Sequence, residues 1–219
     1  MELLLTTPKQ TMPKLKLVIF DCDGVMFDSI EANRAYYNTI LQHFKHPPMD
    51  ENELQFVHVS HVADSIRHIF RNYMDDYEEA EHYRGSLSYL PFLKHMRMEP
   101  DLPEFLNFLR PTVSRAISTN RSNTMDTILK LFDLEKYFEK VVTSADVKNS
   151  KPHPEALYQI LAYFGLTVPE CIYIGDSQVD ADHTASVNMR MIAFKNPQLA
   201  ADYHVNSFME ISKLPIWGE

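Results

Sequence analysis

The sequence predicts an α/β fold: a Rossmann-like, doubly wound parallel sheet interrupted by an inserted all-α domain. Three observations carry that expectation. Short, mostly apolar runs without alternation recur at residues 15–20, 116–118, 141–142, 171–174 and 191–194, the pattern of strands covered on both faces by helices. Helical periodicity fills the intervals after residue 100, so strands and helices alternate. The stretch 29–100 differs from both: it is helical in pattern, rich in Tyr, His and Met, and shows no strand.

Taken in order, the first run ends at Asp21 and is expected to be a central strand. Phe27-Asp28-Ser29 on entry and Glu99-Pro100-Asp101-Leu102-Pro103 on exit mark the crossings to the helical insert, because prolines and a shift of composition coincide there. The expected organisation is therefore an α/β core from 1–28 and 101–219 and a helical domain over 29–100. Met125, Ile128, Leu129 and Phe132 repeat at helical spacing across 124–132. A second such helix spans 154–164, with proline in its first turn and Gly165 as its C-terminal cap. Tyr73, Tyr77, Tyr83 and Tyr89 are read as packing within the insert. No repeat of 20 to 50 residues or low-complexity tract is present.

Composition narrows the function. The 219 residues are 45% hydrophobic and 23% charged, enough for a sizeable core. Thirty acidic against 21 basic residues give a formal charge of −9, so neither nucleic-acid phosphates nor an anionic membrane surface is an expected partner. The longest apolar runs, such as Leu17-Val18-Ile19-Phe20, fall far short of the roughly 20 residues of a membrane span. The first fourteen residues carry only Leu3-Leu4-Leu5 behind Glu2, without the basic flank of a secretory signal, and a cytoplasmic location is expected. Cys22 and Cys171 are the only cysteines and support neither a disulfide framework nor a zinc site.

Ligands of a doubly wound sheet bind beyond the carboxyl ends of its strands, so polar groups matter most there. The first strand ends in Asp21-Cys22-Asp23-Gly24, two acids two residues apart followed by a glycine that permits a sharp turn. The run 116–118 ends in Thr119-Asn120-Arg121-Ser122, hydroxyl and amide groups expected at a helix start, where free N–H groups favour an anion and where the same residues would also serve as caps. Lys151 adds one compact cation. The run 171–174 ends in Gly175-Asp176-Ser177, with Asp180 one turn later. Asp21, Asp23 and Asp176 would repel one another without a cation, and hard oxygen ligands select Mg²⁺ over zinc. Magnesium plus an anion cradle describes phosphoryl chemistry.

Asp21-Cys22-Asp23-Gly24-Val25, Ser118-Thr119-Asn120, Lys151-Pro152 and Gly175-Asp176-Ser177-Gln178-Val179-Asp180 resemble, in order, the four motifs of the haloacid dehalogenase-like hydrolase superfamily, and its phosphoglycolate phosphatase-like and β-phosphoglucomutase-like members in particular. The resemblance runs from about residue 15 to the tail near 203–205, and the insert stands where that family carries a helical cap. It implies a Mg²⁺-dependent phosphatase acting on a small phosphate ester. Asp21 would be the nucleophile, forming an aspartyl phosphate. Asp23 would protonate the leaving group and then activate water, with its carbonyl on the metal. Asp21 and Asp176 would give carboxylates to the ion, Thr119, Asn120 and Lys151 would hold the phosphoryl group, and Asp180 would orient Lys151 or a metal-bound water. The acid at Asp23 argues against dehalogenation, since halide leaves without a proton. A phosphomutase of β-phosphoglucomutase type shares every motif, and a non-catalytic phosphate-binding protein is a further alternative. A monomer or homodimer is expected.

By the same resemblance, a short loop of the cap meets the substrate, placing His58, Ser60 and His61 as readers of the leaving group. His58, His61 and His68 lack metal-site spacing and are read as surface histidines. Three departures stand out. Cys22 replaces a larger apolar residue, Asn188 stands where the family commonly has glycine and is expected to adopt a left-handed cap, and Arg110-Pro111-Thr112-Val113-Ser114 lacks a glycine often found in that loop.

Overall fold

The computed structural model of the protein describes residues 13–60 and 62–217. The chain runs through β1 (Leu17–Phe20), β2 (Phe27–Asp28), α1 (Ile30–His43), α2 (Glu51–Val59), α3 (Val62–Ile69), α4 (Tyr77–Ser86) and β3 (Arg97–Met98). It continues with α5 (Leu102–Leu109), β4 (Ser114–Ser118), α6 (Met125–Leu131), β5 (Lys140–Val142), α7 (Glu155–Phe164) and β6 (Cys171–Gly175). It closes with α8 (Gln178–Ala185), β7 (Arg190–Phe194), β8 (Tyr203–Val205) and α9 (Phe208–Ile211).

The main sheet has six strands in the order β5-β4-β1-β6-β7-β8, and every pairing within it is parallel. The order places β1 at the centre, which explains its unbroken apolar run. Val18 and Phe20 face one side with Ile117, Ile174, Phe105 and Phe208, while Leu17 and Ile19 face the other with Ala116, Tyr173, Leu157 and Ile160. All four β1 residues are buried, so no polar residue interrupts the run. The carboxyl ends of β1, β4 and β6 consequently open side by side. That edge is where the polar motifs emerge.

Between β2 and β3 the helices α1–α4 form a core of their own, with Tyr36, Tyr37, Ile40, Leu54, Ile66 and Phe70 at its centre and Tyr73, Tyr77, Tyr83 and Tyr89 packed against it. Asp50 starts α2 with a reciprocal capping box, accepting from Glu53 N at 2.8 Å while Glu53 Oε2 accepts from Asp50 N at 3.1 Å. The sequence shows no strand near this insert, yet β2 and β3 pair antiparallel, Phe27 with Met98 and Asp28 with Arg97. Strands of two residues carry no periodicity, so nothing in the composition could reveal them. The ribbon joins entry to exit, and Lys195 Nζ reaches Glu99 Oε1 at 2.5 Å to tie the exit to the end of β7.

Smaller departures have local causes. The helix expected from residue 124 begins at Met125, so Thr119 and Asn120 lie in a loop ahead of it rather than at a helix start. That loop is fixed by Arg121 N donating to Thr119 Oγ1 and by Ser144 N donating to Arg121 O at 2.9 Å. Asn188 takes φ 55°, the left-handed conformation that asparagine tolerates. The glycine-free loop after α5 turns without a positive φ, with Thr112 N and Val113 N both donating to Leu109 O.

His183 on α8 is fully buried. Its Nδ1 faces the Pro152 carbonyl at 3.4 Å, which can only accept, so Nδ1 carries the proton and Nε2 accepts from Ser118 Oγ at 3.2 Å. Burial, aided by the charge of Lys151, lowers its pKa from 6.5 to about 4. Below the ordinary value the unfolded chain gains a proton that the native imidazole refuses, so stability falls as pH drops from about 6.5 towards 4. Between pH 7 and pH 5, urea unfolding should show the wild type losing about 2 kcal/mol more than His183→Gln. Equal losses would show that His183 charges freely in the native state.

Candidate active site

Asp21 leaves the end of β1 held by its N–H on Ile174 O at 2.9 Å. Its Oδ1 accepts from Lys151 Nζ at 2.7 Å, and no described residue donates to Oδ2. Lys151, almost wholly buried, also donates to Asp180 Oδ1 at 2.7 Å and to the Tyr173 hydroxyl at 3.0 Å. Its main chain is clamped by Asn120, whose Oδ1 accepts from Lys151 N at 3.0 Å and whose Nδ2 donates to Lys151 O at 3.3 Å. Asn120 thus joins the β4 loop to Lys151, a tie that spacing alone does not show.

Asp180 sits on the first turn of α8 in a capping box, its N–H donating to Ser177 Oγ and its Oδ2 accepting from Ser177 N, while Ser177 Oγ also donates to that Oδ2 at 2.7 Å. Gly175 is required beneath it, because a Cβ there would lie 2.5 Å from Asp180 Cβ. Both Asp180 oxygens are therefore occupied by the protein. Burial opposes its charge most strongly, but Lys151 together with the hydrogen bonds from Ser177 and Tyr173 holds the carboxyl below its ordinary range. Lys151 in turn is held protonated against burial by Asp180 and Asp21.

Asp176, at the end of β6, has no donor to its carboxylate among the described residues. Gly24, at φ 75°, turns the chain directly across from it, and a Cβ on Gly24 would lie 1.9 Å from Asp176 Oδ2. Burial, reinforced by the charges of Asp21 and Asp180, pushes the Asp176 carboxyl up to about 8, and burial likewise lifts Asp21 to about 7. One oxygen each from Asp21, Asp176 and Asp180 lies within 4.8 Å of the others. Two of these carboxylates keep a free oxygen, all donors are hard, and a cation is what would restore their charge. The residues fit a magnesium-type ion better than a soft metal.

Asp23 is placed differently. It lines the same cavity as Asp21. Its carboxylate instead meets Arg121 bidentately, Nη2 to Oδ1 at 2.6 Å and Nε to Oδ2 at 2.7 Å. Burial opposes the charge, yet Arg121 keeps Asp23 below the usual carboxylate range. The guanidinium also lies over the Tyr89 ring at 5.1 Å, linking the β4 loop to the helical layer. The sequence gives Arg121 no role of its own; its position directly after Thr119-Asn120 is the one signal it carries. Cys22, between the two acids, is fully buried and its thiol is pushed well up by burial, so it has no thiolate chemistry.

These groups floor a cavity of ≈ 440 Å³ roofed by the helical layer. Asp21, Asp23, Thr119, Asn120, Lys151 and Asp176 all line it, whereas Asp180 lies behind Lys151. His58 and Ser60 line the roof, and His61 lies outside the described residues. Asn33 Nδ2 meets His58 Nδ1 at 3.5 Å while Asn33 Oδ1 accepts from the Tyr89 hydroxyl at 2.7 Å, so His58 presents Nε2–H. His58 is half-buried rather than a surface residue, and His68 stacks on Phe56 with ring centroids 3.8 Å apart. Asn33, Arg84, Ser88 and Tyr89 also line the roof; Tyr89 is thus more than packing, and the other three carry no sequence signal, since pattern does not identify which helix faces oppose the sheet.

Residues 18–194 match the family model described as haloacid dehalogenase-like hydrolase. A solved HAD-superfamily hydrolase of subfamily IA, variant 1, from Geobacter sulfurreducens PCA is 37% identical, with a TM-score of 0.80 over 93% of this chain and 97% of that one. Among curated relatives, a phosphoglycolate phosphatase of Mannheimia succiniciproducens is 26% identical over 78% of this chain and 83% of its own. A pyrophosphatase, PpaX, of Bacillus pumilus is 28% identical over 76% of each. The protein belongs to the haloacid dehalogenase-like hydrolases.

Proposed function

We propose that the protein is a phosphatase that hydrolyses a small phosphate ester through an aspartyl phosphate, with 29–100 acting as a cap over a core of 1–28 and 101–219. One observation carries the reading: Asp21 lines the cavity with Oδ1 anchored by Lys151 and no described donor on Oδ2, an oriented nucleophile beside a buried cation. The phosphatase and pyrophosphatase names of two relatives support phosphoryl transfer as the chemistry.

Asp21 Oδ2 attacks phosphorus as the ester oxygen departs, and Asp23 in its protonated form delivers the proton that oxygen needs. In the second step Asp23, now a carboxylate, takes a proton from the water that attacks the aspartyl phosphate, which frees phosphate and restores Asp21. The Arg121 pair favours the carboxylate, so Asp23 must part from Arg121 to work as the acid. Thr119 and Lys151 hold the phosphoryl oxygens, Asn120 keeps Lys151 in place, and Asp180 positions its ammonium. Mg²⁺, held by Asp21, Asp176 and the Asp23 carbonyl, would supply neutralisation of charge on the transferring phosphoryl group.

The test is phosphate release from p-nitrophenyl phosphate and a panel of phosphorylated metabolites. Release should vanish on chelation by EDTA and return with added Mg²⁺. Absence of release from every ester at saturating Mg²⁺ would overturn the reading, and metal-independent release would remove the ion from it.

A further inference from the structure

The floor and the roof of the cavity differ in charge. Every carboxylate that lines it, Asp21, Asp23 and Asp176, belongs to the floor. The roof contributes two basic side chains, Arg84 and His58, and no acid. A phosphoryl group on the floor would therefore direct its leaving group towards a surface that offers donors and positive charge.

Arg84 is built for such a contact. It stands in the last turn of α4 and donates Nε to Glu81 Oε2 at 2.9 Å, one turn back on the same helix. Glu81 Oε1 is buried and makes no hydrogen bond, so the acid holds Arg84 by one edge only. The Tyr36 hydroxyl, 3.5 Å from Arg84 O, braces the main chain at the same point. The Tyr36 hydroxyl also lies within hydrogen-bonding reach of the Arg84 side chain, and among the described residues no acid meets the two Nη groups. An arginine held through Nε keeps its planar Nη pair, the geometry that meets a carboxylate or phosphate with two parallel hydrogen bonds. The other cations of the cavity are committed: Lys151 to Asp21 and Asp180, Arg121 to Asp23.

Resting on the phosphatase reading above, we propose that Arg84 determines specificity, selecting phosphate esters whose leaving group carries a second anionic group, a carboxylate or another phosphate. His58 Nε2–H supplies a further donor on the same roof. A neutral leaving group leaves the Nη pair to water and gains nothing from it, so discrimination arises from one added charge-assisted contact.

Three substrates with the same carbon chain separate the possibilities: propyl phosphate, 3-phosphonooxypropanoate and 1,3-propanediol bisphosphate, assayed with Mg²⁺. Wild type should prefer one or both anionic esters over propyl phosphate by about tenfold or more in kcat/KM, and the preferred one identifies carboxylate or phosphate as the group read. Arg84→Gln should reduce that ratio about tenfold, through KM more than kcat. Arg84→Lys, which keeps the charge and loses the fork, should fall between. A ratio unchanged in Arg84→Gln, or a wild-type preference for propyl phosphate, would overturn the proposal. Calorimetric binding of 3-phosphonopropanoate, bis-phosphonate and propylphosphonate reads the same ratio without turnover. Lack of phosphate release would then refute hydrolysis alone, while the binding ratio would still decide the role of Arg84.

Discussion

Asp21→Asn should lower phosphate release by at least ~10³-fold while leaving the fold intact. The amide keeps the shape of the side chain and can still accept from Lys151, whose second anchor on Asp180 at 2.7 Å is untouched. What it loses is the carboxylate charge and, in Oδ2, the oxygen that the proposed reaction uses as nucleophile, its partner Oδ1 being already fixed by Lys151. Stability should change by no more than about 1 kcal/mol, because removing this charge relieves the repulsion that helps raise Asp176. The two effects are read separately, by single-turnover phosphate release and trapping of labelled aspartyl phosphate in the first case and by urea unfolding in the second. A variant that still accumulates phosphorylated protein would show that another side chain is the nucleophile. A variant that turns over at the wild-type rate would sink the covalent route altogether.

Much of this arrangement is legible in the sequence because the sheet makes it so. A central parallel strand must be apolar on both faces, so 17–20 and 171–174 stand out as unbroken runs, and the first polar residues after them mark the catalytic edge. Asp21, Thr119 and Asp176 follow from that rule alone. Lys151 and Asp180 follow only from the motif resemblance, since their importance depends on a buried triangle with Asp21 that joins residues 130 and 29 positions apart. Arg121 is less legible still: a loop arginine is ordinarily solvated, and its partner Asp23 stands 98 positions away in the chain. The roof is the least legible part. Helices of the insert show which residues pack among themselves, as the tyrosines do, but the faces turned to the sheet are polar and mixed. Arg84 and Asn33 look like any other exposed helical residue until the two layers are seen together.

Lys151→Met should destabilise the protein by about 3–5 kcal/mol at pH 7, the cost typical of breaking a buried ion pair from one side. Lys151 is only 4% exposed and, among the described residues, is the single cation touching both Asp21 and Asp180. Methionine fills most of the volume, so the loss measures charge rather than a cavity. Without the ammonium, the two carboxylates face each other in a site where burial already opposes ionisation. The sign of the pH dependence follows. In the wild type the Asp180 carboxyl is held below its unfolded value, so its contribution is present at neutral pH and lost as pH falls through the folded pKa. In the variant that carboxyl rises above its unfolded value, so the penalty is largest at neutral pH and is relieved as acid protonates it. Urea unfolding at pH 7 and pH 5 should therefore show the gap between wild type and variant narrowing on acidification. Asp180→Asn provides the contrast, since it leaves Lys151 paired with Asp21 and should cost less than Lys151→Met. If the lysine variant unfolded at the wild-type urea concentration at both pH values, the triangle would have no energetic role. Its contribution would then lie only in holding the phosphoryl oxygens, and Lys151→Met would lose turnover alone.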